Sequence, residues 1–315
     1  MEGYTVDAVM EKILKNIEKV IVGKTEVVEQ ILICLACGGH ALIEDVPGLG
    51  KTTLVSALAQ SVDCSFRRIQ FTPDVLPSDV TGFTLYQLAT GEKEFQPGAV
   101  MSQIVLADEI NRTSPKTQSA LLQAMQEGRV TVDGETHQLP KPFLVFATQN
   151  PIEMTGTYPL PEAQLDRFFV RISVGYPSKG DEVAVLERNR SGGLPPPLDA
   201  VADAAEVLAL QERLNGVKCV HSLMSYIVEI ARKTREHREV ELGVSPRGSI
   251  ALMRAAMGRA LLSGRDYTLP DDVQKMAEPV LAHRIVMRSQ AYIQNETPAT
   301  VLADAIKRTT VPSMK

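Results

Sequence analysis

The residues best suited to chemistry form one short run, Pro47-Gly48-Leu49-Gly50-Lys51-Thr52. Glycines let the main chain approach an anion closely, so that successive N–H groups and a helix N-terminus can face it. Lys51 adds a positive charge, and Thr52 adds a hydroxyl that can bind Mg²⁺. An apolar run at 41–43 precedes this loop, and a helical apolar pattern at 54–58 follows it. This strand-loop-helix order predicts a site for a nucleoside triphosphate.

The loop departs from the general pattern G-x-x-x-x-G-K-[ST] at its first position, where this chain has Asp45. An ordinary glycine-rich turn is the alternative, but it explains neither the strand before the loop nor the helix after it. We therefore predict that one continuous segment binds the nucleotide. Its residues are Asp45, Val46, Pro47, Gly48, Leu49, Gly50, Lys51, Thr52 and Thr53.

Two adjacent carboxylates, Asp108 and Glu109, end a second apolar run at 104–107. Ligands of open α/β sheets bind at the carboxyl ends of the strands, which is where this pair would lie. We expect Asp108 to hold Mg²⁺ together with Thr52, and Glu109 to polarise the water that attacks the terminal phosphate. The alternative is a helix N-cap with a neighbouring acid.

Three further polar residues are candidates for the same chemistry. Asn150 follows the next apolar run and could position the water or sense the phosphate, although Asn before Pro also starts turns. Arg167 lies between a short helix and a strand, where it could stabilise phosphate charge or pair with Asp166 or Glu162. Arg247 opens a helix in the second half of the chain and could reach across a domain cleft or lie on an exposed surface.

Apolar runs that alternate with helical patterns predict an α/β core with a mostly parallel sheet over residues 1–190. Two segments near 83–95 and 129–139 have the turn residues of hairpins inserted into that core. Residues 191–200 are rich in Gly and Pro and predict a linker, after which 201–315 form a helical domain. Its helices are expected at about 204–214, 222–236, 246–262, 270–283 and 299–307.

Composition narrows the possible classes of protein. The chain has 315 residues, a formal net charge of −5 and four cysteines. No apolar stretch approaches the ~20 residues that cross a bilayer, and residues 1–7 lack a signal core, which favours the cytoplasm. Cys34 and Cys37 lack a second pair at zinc spacing and are expected inside a buried helix. The negative charge does not favour nucleic acid as a partner.

Taken in order, these motifs resemble the AAA+ ATPases and, within them, the MoxR family. The resemblance runs from about Ile21 to the last helices. Its most specific segments are Ala41-Leu42-Ile43-Glu44-Asp45-Val46-Pro47-Gly48-Leu49-Gly50-Lys51-Thr52, Ala107-Asp108-Glu109-Ile110-Asn111-Arg112, Ala147-Thr148-Gln149-Asn150-Pro151 and Leu160-Pro161-Glu162-Ala163-Gln164-Leu165-Asp166-Arg167-Phe168.

The resemblance implies a three-layer P-loop NTPase core followed by a small all-α lid, and it implies a role for each candidate residue. Asp45 in the first loop position is normal for this family. The implied roles are Lys51 and Thr52 as Walker A, Asp108 and Glu109 as Walker B, Asn150 as sensor 1, Arg167 as an arginine finger toward a neighbouring subunit, Arg247 as sensor 2 from the lid of the same subunit, and Val22 and Gly23 near the adenine.

The implied activity is Mg²⁺-dependent ATP hydrolysis by a ring of six subunits that remodels protein clients, with a von Willebrand A domain protein as a further partner. The two hairpins would face the pore, and the lid would rotate against the core. A nucleic-acid motor is an alternative, but neither hairpin is basic: Lys93 stands between Glu92 and Glu94. A nucleotide-gated scaffold without turnover is the other alternative, against which the Asp108-Glu109 pair argues.

Overall fold

The computed structural model describes residues 7–46, 48–87, 92–150, 156–190, 197–293 and 295–313. Its helices are α1 (Ala8–Glu18), α2 (Thr25–Ala36), α3 (Lys51–Ser61), α4 (Pro77–Thr81), α5 (Pro115–Glu127), α6 (Glu162–Leu165), α7 (Lys179–Arg190), α8 (Ala204–Leu214), α9 (His221–Glu236), α10 (Pro246–Leu262), α11 (Pro270–Leu281), α12 (Ser289–Ile293) and α13 (Pro298–Arg308). Its strands are β1 (Ala41–Glu44), β2 (Phe66–Gln70), β3 (Gly82–Tyr86), β4 (Lys93–Pro97), β5 (Ile104–Asp108), β6 (Arg129–Val132), β7 (Glu135–Gln138), β8 (Leu144–Gln149), β9 (Val170–Ile172), β10 (Val240–Leu242) and β11 (Val286–Met287). Within these ranges no helix combines the length and the apolar character needed to cross a bilayer.

The central sheet has five parallel strands in the order β2-β5-β8-β1-β9. Strand β1 pairs on both sides, so that Ala41 stands opposite Phe146 and Val170. The apolar runs read from the sequence all form these strands, which confirms the predicted sheet. Strands β5 and β8 are nearly continuous apolar runs because helices cover both faces of the sheet.

The two faces of the sheet bury separate apolar clusters. Ile43 of β1 packs with the first three helices on one face, whereas Leu42 packs with α5 on the other. Successive side chains of a strand point to opposite faces, so one short strand contributes to both clusters. The result is the three-layer core that the sequence predicts.

Both predicted hairpins are present. Strand β3 pairs with β4, and β6 pairs with β7, each in antiparallel register. The second hairpin turns at Asp133 and Gly134, which both have positive φ, as a two-residue turn of type I′ requires. The tip of the first hairpin, 88–91, lies outside the described residues. The hairpins contact each other where the Phe95 ring stacks on the His137 ring, with centroids 3.8 Å apart.

The helical unit packs directly on the N-terminal helices of the core. Helices α8, α9, α10, α11 and α13 confirm the predicted helical segments. A Cβ on Gly258 of α10 would lie 3.0 Å from Cγ2 of Ile33 and 3.1 Å from Sγ of Cys37, so α10 and α2 approach closely. One apolar cluster runs through both units. Residues 191–196 of the predicted linker lie outside the described ranges.

The cysteine pair belongs to this interface. Cys34 lies inside α2 as predicted, whereas Cys37 is the residue that ends the helix. Burial raises the pKa of the Cys37 thiol to about 12, with a smaller opposing effect of Arg254. Both thiols are buried and therefore protonated at neutral pH.

Candidate active site

The glycine loop connects β1 to α3. Gly48 and Gly50 have φ values of 86° and 77°, which favour glycine, and a Cβ at either position would meet no atom within 4 Å. These glycines are therefore needed for the path of the backbone rather than for lack of room. No side chain caps the N-terminus of α3, so its first N–H groups remain available to an anion. Pro47 lies outside the described residues.

Asp45 has a structural role that accounts for the departure at the first loop position. Its Oδ2 accepts hydrogen bonds from the Gly175 N–H at 2.7 Å and from the Ser173 hydroxyl at 3.1 Å. These bonds tie the start of the loop to the segment that follows β9. The backbone oxygen of Asp45 also accepts a hydrogen bond from Lys51 Nζ at 2.8 Å.

Lys51 lies among the acids of the site. Burial lowers the pKa of its ammonium, and the carboxylates of Asp45, Asp108 and Glu109 oppose that shift. The side chain is half-buried, with its charge aimed at the loop. A group held this way can neutralise phosphate charge without first leaving an exposed, hydrated position.

Asp108 ends β5 and is buried, with both carboxylate oxygens in contact with neighbouring strands. The Thr148 hydroxyl of β8 donates to Oδ1 at 2.6 Å, and Arg68 of β2 donates from Nη2 to Oδ2 at 2.6 Å. Carboxylate and hydroxyl oxygens suit Mg²⁺, which is usually bound by one or two protein groups together with phosphates and water. Asp108 and the half-buried Thr52 fit such a site, and the described residues hold no cluster of three or more metal-binding side chains.

Glu109 sits in a strained backbone position next to Asp108. Its φ of 57° is rare for a residue with a side chain, and its N–H donates to the Thr148 hydroxyl at 2.9 Å. Strain of this kind concentrates at functional sites because surrounding contacts hold it in place. Oε2 of Glu109 accepts a hydrogen bond from Gln70 Nε2 at 2.7 Å, so β2 orients both acids of the pair.

Asn150 joins the same edge of the sheet. It is buried and directly follows β8, which lies between β5 and β1. Parallel strands end on one side of a sheet, so the loop after β1, the acids after β5 and Asn150 converge there. The structure thus brings together the predicted nucleotide loop, acid pair and polar strand end.

A cavity of about 270 Å³ opens beside the glycine loop. Its wall is mainly apolar and includes Val22, Leu49 and Thr53, which the sequence assigned to nucleotide binding. Gly23 has a φ of 69°, and a Cβ there would overlap the Asp181 carboxylate, so glycine is required for two reasons. Arg188 closes the other side, where its Nη1 donates to the Val20 carbonyl at 2.9 Å. A flat heterocyclic base fits a cavity of this character.

The two candidate arginines lie at the opposite edge of the sheet. Arg167 precedes Val170, which pairs with Ala41 at the start of β1. The length of β1, about 13 Å for four residues, therefore separates Arg167 from the loop. Arg247 lies beside it, with Nη1 3.7 Å from Oδ2 of Asp166, and both arginines line a small cavity of about 100 Å³. The expectation that Arg247 reaches the nucleotide of its own subunit does not hold in this structure.

Comparisons with known proteins agree with this geometry. Residues 40–170 match the family model "ATPase family associated with various cellular activities (AAA)", and residues 232–305 match "AAA lid domain". YeaC of Bacillus subtilis is 51% identical over 301 residues, which cover 96% of this chain and 94% of that protein. Chaperone MoxR1 of Mycobacterium tuberculosis is 40% identical and is matched over 97% of this chain and 83% of its own length. A crystal structure from Cytophaga hutchinsonii has a TM-score of 0.89 at 38% identity, covering 97% of this chain and 95% of that one.

The chain belongs to the MoxR family of AAA+ ATPases. This MoxR-family ATPase binds and hydrolyses ATP. The site geometry matches that activity, because a cationic loop, a carboxylate pair and a buried amide converge where the phosphates of a bound nucleotide would lie. The roles of the single residues are taken up below as proposals.

Sequence reasoning missed several residues of the MoxR-family site. Arg68, Gln70 and Thr148 form hydrogen bonds with the acid pair. All three lie in segments whose apolar neighbours indicate a strand but do not indicate a site. The available signal was that Arg68 and Gln70 are two residues apart in β2, so both side chains point to the same face of the strand. Asp166 was considered as a partner of Arg167, but it pairs with Arg247 and Arg284.

Proposed function

We propose that this AAA+ ATPase is a ring oligomer in which each ATP is bound by one subunit and its hydrolysis is completed by arginines of the next. One observation carries the proposal. Lys51 and Glu109 lie at the carboxyl edge of the sheet, whereas Arg167 and Arg247 lie together at the amino edge. A single subunit cannot bring both sets to one phosphate, but two subunits packed edge to edge can.

Within one subunit, Lys51 and the N-terminal amides of α3 hold the phosphates. Glu109 orients the attacking water, and Asn150 contacts the water or the terminal phosphate. Mg²⁺, held by Thr52 and Asp108, would neutralise charge that develops on the phosphates. Arg68 donates to Oδ2 of Asp108, so this carboxylate has a cationic partner on the neighbouring strand.

Arg167 and Arg247 are the residues proposed to act across the subunit interface. The Arg247 side chain is 56% exposed and Arg167 is half-buried, so both keep surface that a neighbouring subunit can reach. An arginine supplied in this way contributes roughly 10³–10⁵ in rate, because it stabilises charge in the transition state. Hydrolysis then depends on assembly, and it moves one subunit relative to the next.

The client of the ring is proposed to be a protein. One relative is named a chaperone, and the chain carries two connected hairpins that project from the core. Phe83, Leu85 and Tyr86 of β3 are each about half exposed, which gives the hairpin pair an apolar surface for unfolded or partly folded chains. Six subunits, a von Willebrand A domain partner and residence in the cytoplasm remain predictions.

The test is the rate of phosphate release per subunit as a function of protein concentration. Wild type should gain specific activity as subunits assemble. Arg167→Ala should bind ATP with unchanged affinity but lose about 10³-fold or more in turnover. Arg238→Ala removes another exposed arginine, one that pairs with Glu239 and has no proposed role, and serves as the matched control. Turnover that is independent of concentration and unaffected by Arg167→Ala would overturn the proposal.

A nucleic-acid motor is the competing function. The second hairpin carries Asp133 and Glu135 against Arg129 and His137, so neither hairpin offers the basic groove that phosphate backbones need. Stimulation of ATP turnover by single-stranded DNA or RNA, lost at raised salt, would favour that alternative over a protein client.

A further inference from the structure

Arg284 belongs to the helical unit, yet its side chain is inserted beneath the segment that carries Arg167. It follows α11 and is only 3% exposed. Nε donates to Oδ1 of Asp166 at 2.8 Å, and Nη2 donates to the Phe168 carbonyl at 2.6 Å. Arg284 therefore binds the residue immediately before Arg167 and the residue immediately after it.

Further contacts fix the guanidinium in the same orientation. Nη1 donates to the carbonyl of Phe169 at 3.3 Å and to the carbonyl of Val280, which lies in the last turn of α11. Burial lowers the pKa of Arg284, and the charge of Asp166 opposes that shift. The guanidinium remains charged at neutral pH because the ordinary pKa of an arginine side chain lies far above 7. The planar guanidinium carries donors that point in several directions and can bind several carbonyls at once. The compact ammonium of a lysine could not reach carbonyls on both sides of Arg167.

Stability alone gives a weak account of this ion pair, in which Arg284 is buried and the Asp166 carboxylate is 23% exposed. Replacing a buried ion pair with apolar residues of similar volume is often neutral or stabilising. A second apolar anchor already exists nearby, since Phe168 is fully buried in the core. What the ion pair adds is a fixed orientation of the backbone around Arg167.

Arg167 depends on that orientation. Among the residues that the structure describes, its guanidinium has no hydrogen-bond or ion-pair partner, so the backbone alone sets the point from which this side chain projects. Asp166 uses Oδ1 for Arg284 and presents Oδ2 to Arg247, 3.7 Å from its Nη1. One carboxylate, held by Arg284, therefore contacts Arg247 and belongs to the residue that directly precedes Arg167.

We propose that Arg284 is a positioning residue that sets the geometry of Arg167 and, through Asp166, of Arg247. This inference rests on the proposed function, in which these arginines serve the nucleotide of the neighbouring subunit. Through Arg284 the helical unit thereby affects hydrolysis in the neighbour's site, although Arg284 itself does not contact the nucleotide there. The predicted defect of an Arg284 variant lies in the neighbour's site, whereas its own ATP site stays intact.

The first measurement is ATP binding and steady-state turnover of Arg284→Gln. We expect unchanged ATP affinity, a KM within about twofold of wild type and a fall in kcat of about 10²-fold, because a displacement of about 1 Å can have that effect. Asp166→Asn removes the negative charge that pairs with Arg284, with little change in side-chain volume. It carries the test if Arg284→Gln fails to fold, and it is expected to show the same kcat loss.

The decisive measurement mixes two inactive variants before assembly. Glu109→Gln subunits cannot activate water but supply correctly placed arginines, and Arg284→Gln subunits have an intact Glu109. If Arg284 positions arginines for the neighbour, a 1:1 mixture should recover up to about a quarter of wild-type turnover, since half of the sites are competent and half of their neighbours are. A residue with a merely structural role, or a role in its own site, would give no recovery.

The mixture of Arg167→Ala with Glu109→Gln separates the two proposals. If that control mixture also fails to recover activity, arginine donation between subunits is wrong and the proposed function fails with it. If the control recovers but the Arg284→Gln and Asp166→Asn mixtures do not, only the positioning role is overturned. Wild-type turnover of both variants would overturn it equally.

Discussion

Acidification to pH 5 should destabilise this ATPase by about 2 kcal/mol through His40 alone. His40 immediately precedes β1, and its ring is half-buried between Val145 and Met125. Its Nδ1 accepts the Val145 N–H at 3.0 Å, which places the ring proton on Nε2, 3.1 Å from the Met125 carbonyl. Burial lowers the pKa of the ring to about 4, and the hydrogen bond to Met125 offsets only part of that effect.

The direction follows from where the proton binds first. The pKa of His40 is near 6.5 in the unfolded chain and about 4 in the folded protein, so the unfolded state takes up the proton first as pH falls. The stabilising contribution is complete above pH 6.5 and is lost as pH falls toward 4. Each pH unit inside that window is worth about 1.4 kcal/mol, which gives about 3 kcal/mol in total and about 2 kcal/mol by pH 5.

The assay is urea unfolding of wild type and His40→Gln at pH 7.5, 6 and 5, values that bracket the upper part of the roughly 4–6.5 window. Gln can accept from Val145 and donate to Met125 but does not titrate, so its own pH dependence reports the carboxylates and the other histidines. Between pH 7.5 and 5 wild type should lose about 2 kcal/mol more than the variant. His221→Gln, at an exposed position, should behave as wild type. Equal losses in wild type and His40→Gln would refute the reasoning.

Three other perturbations test the site and its support. Glu109→Gln should retain ATP binding and lose about 10²–10⁴ in turnover, measured by phosphate release, because the amide cannot accept a proton from water. Thr148→Val should lower the free energy of unfolding by about 1–3 kcal/mol, since it removes hydrogen bonds from the buried Asp108 carboxylate and the Glu109 N–H. Gly39→Ala should cost about 1–3 kcal/mol in the same denaturation assay, because the added Cβ would lie 2.5 Å from Cβ of Phe169.

Two of these changes have a matched control variant. Thr148→Ser keeps the hydroxyl and should retain most of the stability, so equal losses for Ser and Val would mean that packing dominates. Gly180→Ala places its Cβ no closer than 3.8 Å to another side chain and should be neutral or stabilising. A Glu109→Gln variant with wild-type turnover would exclude this carboxylate as the group that orients water.

The local parts of the site were predictable because the residues that form each part are adjacent in the sequence. The glycine loop with Lys51, and the acids Asp108 and Glu109, need specific residue types at fixed spacing. The five strands were predictable because runs such as Ile104–Asp108 are uninterrupted and bounded by turn signals. Polar partners from other strands were not, since Arg68 faces Asp108 only once β2 pairs with β5. Strand order depends on long-range packing that periodicity does not specify.

The arrangement of the arginines was harder still. Asp166 and Arg284 are separated by 118 residues, and their contact depends on how α11 docks against the core. The resemblance to AAA+ ATPases implies that Arg247 acts on the nucleotide of its own subunit, and the sequence does not show how the helical unit docks on the core. Gly258 is the residue that indicates the docking, because its lack of a side chain lets α10 approach α2 closely.

The close approach of α10 to α2 also constrains how the chain acquires its structure during synthesis. The apolar faces of α1 and α2 leave the ribosome early, but part of the surface that covers them is supplied by α10, whose last residue is Leu262. Until that helix emerges, Ile33 and its neighbours lack their final packing and are exposed to aggregation or to cellular chaperones. The two halves therefore depend on each other for packing. A recombination that exchanged the helical half for an unrelated one would leave apolar surface of α1 and α2 exposed.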